Sequence, residues 1–298
     1  MKKHCNKMVA VGGLMVACLL VEISCGAVEA VRVQELRLSS GRILGSTDPN
    51  TTLAFYKFSL QWPPASCDSS LKCVGDIPAE FTIHGLWPQL SNDKGVPAYA
   101  KNKSCITLTP TRADQLPVIL QTGNLVQQLM QAWPDLKNTS SLKTSQTFWS
   151  NEWTKHGMCS DYGDKPLDYF KAAINLRNNF VQAFTLERGV SYKVEEIVKK
   201  VKAAVNGTPE IACRTKKGGK GAKILLELRL CYKKGNPTPQ GIQDCKVSYS
   251  GVCKSTLDEL TLLLVRYQSG EFPKSSSFMS ACDLHGLTLF TYNLLRSI

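Results

Sequence analysis

The stretch FWSNEWTKHGMC, from Phe148 to Cys159, decides how the rest of this 298-residue chain is read. Laid on a helix, Glu152 has Lys155 three residues on and His156 four residues on, which puts the three side chains on one face. A carboxylate, an ammonium and an imidazole on one patch can bind a phosphate, move a proton and hold the imidazole in position. The same spacing also describes a solvated helix face with an ion pair. A second stretch, FTIHGLWPQ from Phe81 to Gln89, weighs against that bland reading. It carries His84 in a strand-like run that ends in Gly85, Trp87 and Pro88, with Phe81 and Ile83 on one side and Thr82 and His84 on the other. Two histidines in two aromatic-rich segments, each close to a cysteine, are the raw material of a two-histidine acid–base site.

Outward from these stretches, Ala54, Tyr56, Phe58 and Leu60 alternate with Phe55, Lys57, Ser59 and Gln61, a strand with one apolar face and Gln61 on the more polar one. Trp62-Pro63-Pro64 ends it. Residues 91–109 read as a polar loop. Leu125, Leu129 and Trp133, four apart, predict a short helix before the central one. Asp164 and Pro166 mark a helix start, and Leu167, Phe170, Ile174, Val181 and Phe184 form its apolar stripe. Val194, Ile197, Val198, Val201 and Val205 form another. A basic, glycine-rich segment, residues 214–223, precedes a later strand in which Leu226, Leu228, Leu230 and Tyr232 alternate with Glu227, Arg229 and Cys231. The basic segment is either an RNA groove or a solvated loop. The pattern predicts an α+β fold, an antiparallel sheet packed against helices in a single domain. With 43% hydrophobic residues the chain can fill one sizeable core.

Residues 1–30 read as a secretory signal peptide: Lys2, Lys3 and Lys7, then an apolar run from Met8 to Leu20, too short for a membrane anchor. Small-residue cleavage patterns lie near Ala30 and near Ala27. Residues 31–52 form a loose N-terminal arm. Cys5, Cys18 and Cys25 fall in the signal, leaving nine of the twelve cysteines. Secretion favours disulfides among those nine, and the odd count leaves at least one without an intramolecular partner. Sequons at Asn50, Asn102, Asn138 and Asn206 fit the same route. The formal charge of +12 suits attraction to polyanions, acidic cell-wall polymers as well as nucleic acid.

FTIHGLWPQ and FWSNEWTKHGMC closely resemble the two active-site segments of the T-two ribonuclease family, secreted acid ribonucleases that include the plant S-RNases and S-like RNases. FYKFSLQWPPASC resembles the family's first strand. The resemblance runs from about residue 53 to 253, and two long motifs in the family's order make it specific. One departure stands out: many members carry histidine just before the motif glutamate, where this chain has Asn151. The basic charge and this change resemble the S-RNases more than the typically acidic S-like enzymes.

The resemblance implies cleavage of single-stranded RNA through a 2′,3′-cyclic phosphate, with no cofactor and no metal. It implies His156 as base and His84 as acid, with Glu152 and Lys155 stabilising the transition state; spacing cannot distinguish the two histidines' roles. Substrate-binding positions follow less directly. Trp87 is either a base-stacking platform or a core residue, Gln61 either binds a base or satisfies backbone groups, and Asn151 can donate to a phosphate oxygen but carries no charge. The implied crosslinks are Cys67–Cys73, Cys105–Cys159, Cys213–Cys253 and Cys231–Cys245, leaving Cys282. An extracellular or vacuolar location, no membrane partner and, for an S-RNase-like role, a pollen-side protein partner complete what the resemblance implies.

Two other classes compete with this reading: a catalytically weak recognition protein of the same fold, and a zinc hydrolase using His84, His156 and His285, against which the absence of H-E-x-x-H or paired C-x-x-C spacing counts. The resemblance fades beyond residue 254. It bounds the ribonuclease domain at 53–254, and residues 255–298 are either a packed extension or an ill-formed tail. On that reading, removing 255–298 leaves cleavage largely intact.

Overall fold

The structure is a computed structural model that describes residues 53–264, apart from 68–72, 74–76, 138–140 and 236–238. The expected signal peptide and N-terminal arm, the Asn50 and Asn138 sequons, Cys282 and His285 lie outside the described residues.

In chain order the elements are β1 (Phe55–Gln61), α1 (Pro63–Cys67), β2 (Thr82–Gln89), α2 (Leu116–Thr122), α3 (Val126–Ala132), α4 (Leu142–Lys155), α5 (Pro166–Ala183), β3 (Ser191–Lys193), α6 (Val194–Val205), β4 (Glu210–Thr215), β5 (Lys223–Lys233), β6 (Gln240–Gln243), β7 (Tyr249–Gly251) and β8 (Glu259–Thr261). The strands form one sheet in the order β2-β1-β5-β4-β7, with β6 on β5 and β8 bridging β3 and β5. Its pairings are antiparallel except β4–β7 and β5–β8. This is the expected α+β architecture.

β1 sits between β2 and β5, so both of its edges are paired, and both of its faces are buried as well except at Gln61. Phe58 lies opposite Leu86 and Leu230, and Leu60 opposite Ile83 and Leu228, all buried on the helix-covered side. Trp149 and Trp153 from α4, Tyr169 and Phe170 from α5, and Trp133 after α3 fill that side and are completely buried. Burying each such side chain contributes roughly 1.5–3 kcal/mol or more. The polar atoms carried inward are matched. Trp149 Nε1 donates to the Trp133 carbonyl at 2.7 Å, Trp153 Nε1 to that of Thr111 at 2.8 Å, and the Tyr169 hydroxyl to that of Leu86 at 2.8 Å. The other face of β1, read in the sequence only as the more polar side, is buried too: Lys57 and Ser59 are 6% and 0% exposed.

Local signals account for most element ends. Ser141 caps α4, its hydroxyl accepting from the Thr144 amide. α5 starts on Pro166, but Lys165 rather than Asp164 is its N-cap residue. α6 ends on Asn206 at φ 56°, the left-handed conformation that asparagine tolerates. α2 and β4 are elements the periodicity reading did not resolve. α2 is a single seven-residue helix burying only Leu116 and Leu120, and β4 lies just ahead of the basic segment, which forms its hairpin with β5. Four disulfides join Cys67–Cys73, Cys105–Cys159, Cys213–Cys253 and Cys231–Cys245.

The sheet continues past residue 254. Leu260 of β8 and Leu262 are 0% and 1% exposed within the main core, and Asp258 is 2.6 Å from Lys223. Trp62 Nε1 donates to the Leu263 carbonyl at 2.9 Å. Deleting 255–298 is therefore expected to unfold the protein. Truncating one buried leucine costs about 2–5 kcal/mol, and two approach the roughly 5–15 kcal/mol of a whole domain. Deleting only 265–298 removes none of these contacts and should leave folding and cleavage intact. Circular dichroism and RNA cleavage on both truncations check this; a folded, active protein lacking 255–298 would refute the packing argument.

Candidate active site

β2 positions the first histidine through a bulge. Ser59 pairs with Gly85 and Leu60 with Ile83, so His84 is the extra residue between them. Strict alternation would put His84 and Trp87 on opposite faces. The inserted residue returns Ile83 and Leu86 to the core and leaves His84 and Trp87 half-buried on the same side. Trp133 Nε1 pins the bulge by donating to the His84 carbonyl at 3.0 Å.

α4 positions the other groups. Trp149 and Trp153 face the core, while Glu152 turns towards β2 and is 4% exposed. Its Oε2 accepts from Trp87 Nε1 at 3.0 Å. Gly85 allows this approach, since a Cβ there would collide with both Trp87 Nε1 and Glu152 Oε2. His156 is the residue at which α4 ends, its amide bonded to the Glu152 carbonyl at 2.9 Å. Its Nε2 lies 3.9 Å from Glu152 Oε2, and its Nδ1 is buried without a protein hydrogen-bond partner. Three residues further on, the Cys105–Cys159 disulfide anchors this turn to the loop before α2.

The Trp87 ring packs against both imidazoles, 5.1 Å from His84 and 5.6 Å from His156. It is half-buried and lies outside the buried core. The Arg229 guanidinium lies over the ring at 5.4 Å, and the indole nitrogen is committed to Glu152.

Two adjoining clefts meet at His84. One, of about 370 Å³, is bordered by Gln61, Ser66, Phe148, Arg214 and Glu227. The other, of about 340 Å³, is bordered by Asn151, Glu152, Lys155, Thr144 and Thr147. Asp135, Lys137 and Phe148 border both. Gln61 makes two long contacts, donating to the Ile83 carbonyl at 3.4 Å and accepting from Ser66 at 3.4 Å. Lys155 and Asn151 are exposed on the second cleft.

The two imidazoles are pushed in opposite directions. Burial, with the positive charges of His84 and Lys155, lowers His156 to about 4. Burial alone would also lower His84, but its hydrogen bond and charge contact with Glu227, helped by Glu152, outweigh that and raise it above its ordinary value. Burial raises Glu152, and the charges of His84 and Lys155 and the Trp87 hydrogen bond only partly offset it.

The periodicity reading missed the groups behind His84. Glu227 Oε1 is 2.6 Å from His84 Nδ1, and its Oε2 accepts from Arg229 at 2.7 and 2.9 Å and from Ser59 at 3.1 Å. Arg229 Nη1 donates to Glu210 at 2.6 Å, and Glu210 accepts from Lys57 Nζ at 2.7 Å. In the sequence Glu227 and Arg229 occupy the polar positions of an alternating strand, which look like a solvent face. Two opposite charges two residues apart are the only signal of anything else.

Comparison with known proteins bears on the family and the fold. The sequence profile of the Ribonuclease T2 family matches residues 53–245. Ribonuclease 1 of Arabidopsis thaliana is 28% identical over 226 residues, covering 72% of this chain and 90% of that protein. Ribonuclease MC of Momordica charantia is 32% identical over 189 residues, covering 61% and 90%. Among solved structures, RNase NT in complex with 5′-AMP superposes with a TM-score of 0.54 at 26% identity, covering 71% of this chain and 98% of that one.

Proposed function

Since the chain belongs to the ribonuclease T2 family and is a metal-independent, RNA-cleaving endoribonuclease, we propose that His156 is its general base, His84 its general acid, and Glu152 with Lys155 its transition-state stabilisers. The observation that carries this reading is two imidazoles packed on one indole, 5.1 and 5.6 Å from it, His84 with Glu227 2.6 Å from its Nδ1 and His156 with a buried, unpartnered Nδ1, surroundings that displace the two in opposite directions. Between the His156 value of about 4 and the ordinary histidine value, one imidazole is neutral and the other protonated, the pair of states the reaction needs.

His156 takes the proton of the ribose 2′-hydroxyl. The 2′-oxygen forms a bond to the adjacent phosphorus, the bond from phosphorus to the 5′-oxygen breaks, and His84 protonates that oxygen as it leaves. The products are a 2′,3′-cyclic phosphate and a free 5′-hydroxyl. Lys155 offers a cation to the phosphoryl oxygens, where charge accumulates. Trp87 holds Glu152 in place rather than stacking a base. Gln61 and Phe148 supply polar and aromatic groups for a base in the first cleft, and Asn151 a neutral donor for phosphate in the second. The four disulfides and the sequons support secretion.

The pH dependence follows with its sign. A base works only when neutral, so kcat/KM should rise as pH passes the His156 value of about 4. An acid works only when protonated, so activity should fall again on the alkaline side, at a pH above the ordinary histidine value because His84 is raised. Initial rates on a defined RNA oligomer, with the first product identified by mass spectrometry, test the reading. A cyclic phosphate within a bell-shaped profile is expected. Direct formation of a linear phosphate, or activity that only rises from pH 6 to 9, would overturn it.

A further inference from the structure

The groups behind His84 form a row of alternating charge that the two active-site segments do not contain. Glu227, 5% exposed, meets His84 Nδ1 through Oε1 and is held from behind by Arg229 and Ser59 through Oε2. Arg229 reaches Glu210, itself 2% exposed, and Glu210 reaches Lys57, 6% exposed. Asp93 closes the row, its Oδ1 2.8 Å from Lys57 Nζ, an ionic contact rather than a well-directed hydrogen bond. The row passes from β5 to β4 to β1 and on to the turn after β2, so the sheet fixes the place of each charge.

We propose that Glu227 is a positioning residue for RNA cleavage: its contact with His84 Nδ1 orients the imidazole, leaves Nε2 as the nitrogen that acts on the substrate, and retains the proton His84 delivers to the 5′-oxygen. The proposal rests on His84 being the acid.

Charge balance gives the physical reason. With His84 protonated, the row holds three cations, His84, Arg229 and Lys57, against three anions, Glu227, Glu210 and Asp93. Removing the proton leaves a buried, uncompensated negative charge, which a low-dielectric surrounding disfavours. Arg229 pulls the other way on His84, but it is shared between Glu227 and Glu210 and sits one residue further back. The remaining charged groups around His84 are Glu152, Lys155 and His156 from α4 and its end, Asp135 and Lys137 after α3, and Arg214 from β4. Of these only Glu152 adds to the proton-holding effect of Glu227 on His84. A carboxylate with a fixed hydrogen bond to one ring nitrogen also selects the tautomer and orientation of the other.

Glu227→Gln keeps the shape of the side chain and removes its charge. The kcat on an RNA oligomer should fall at least roughly 10- to 100-fold at neutral pH, the loss typical when a metal-bound histidine loses its outer carboxylate, with KM little changed. The alkaline limb of the pH profile should move to lower pH while the acid limb, set by His156, stays. Glu227→Asp should restore part of the rate. A nucleoside 3′-(4-nitrophenyl phosphate) separates positioning from general damage, because nitrophenolate leaves without needing a proton. The Glu227→Gln loss should nearly vanish on that ester. An equal loss on both substrates, with an unmoved alkaline limb, overturns the proposal if His84→Ala does recover on the ester. If His84→Ala is as slow on the ester as on RNA, the assignment of His84 as acid has failed instead. Should Glu227→Gln not fold, nitrogen NMR of the unaltered protein decides. A hydrogen-bonded, strongly downfield Nδ1–H on His84 that persists to the alkaline limb supports the proposal, and an unprotonated Nδ1 below that limb refutes it.

Discussion

An RNA oligomer carrying a single 2′-deoxynucleotide is expected to be cut at its other susceptible linkages and to resist at the one on the 3′ side of that sugar. The described residues of the site supply proton-transfer groups and a cation, but no side chain set up to attack phosphorus. Glu152 is buried and bonded to Trp87, Glu227 is buried behind His84, and the one neutral imidazole is placed beside the carboxylate of its own helix. The attacking oxygen then comes from the substrate. A neighbouring 2′-hydroxyl reacts with an advantage equivalent to about 10⁵–10⁸ M of free nucleophile, and a deoxy sugar forfeits all of it. The block should hold in excess chelator, with cleavage elsewhere unaffected. Gel analysis of an end-labelled oligomer reads both results at once. Cleavage at the deoxy linkage, or general arrest by chelator, would mean an activated water attacks. DNA of the same sequence should still bind through its phosphates, more weakly as salt rises, and remain uncut.

Replacing either histidine should be nearly as severe. In the proposed mechanism His156→Ala removes the proton acceptor and His84→Ala the proton donor, and each such group typically accounts for about 10²–10⁴ in rate. The double variant should lose little beyond the worse single one, because the two act on one proton-transfer sequence. Stability should respond unequally. His156 is a half-buried helix end with no side-chain hydrogen bond on Nδ1, so its loss costs little. His84→Ala leaves Glu227 buried with only Arg229 and Ser59, which should lower the melting temperature measurably. Single-turnover rates and thermal unfolding on the same samples separate the two effects. Near-normal turnover in either folded variant would remove that histidine from the mechanism.

Much of the site is written within a dozen consecutive residues. A helix brings positions three and four apart together whatever surrounds it, so Glu152, Lys155 and His156 could be grouped from spacing alone. The structure then divides the group: Glu152 is buried against Trp87, His156 half-buried, and Lys155 left exposed on the cleft. Which member is buried depends on what packs above the helix, and that is not a local property. The same holds for β2. Alternation places His84 away from Phe81 and Ile83, but the bulge that brings Trp87 to its side comes from pairing with β1, a partner the run itself does not specify.

Amino-acid order by itself determined the helix carrying Glu152, Lys155 and His156, the strand carrying His84, and the apolar stripes that form the core. Each depends on contacts a few residues apart. Tertiary structure alone decided that the polar face of β1 and β5 is an interior one, that Glu227 meets His84 across 143 residues of chain, and that residues 259–261 belong to the sheet. An alternating strand reads the same whether its polar side meets water or a second buried layer. Only the neighbours that cover it turn Glu227, Arg229, Glu210 and Lys57 from a solvated face into a row of fixed charges, where exclusion of water makes each one felt by the next.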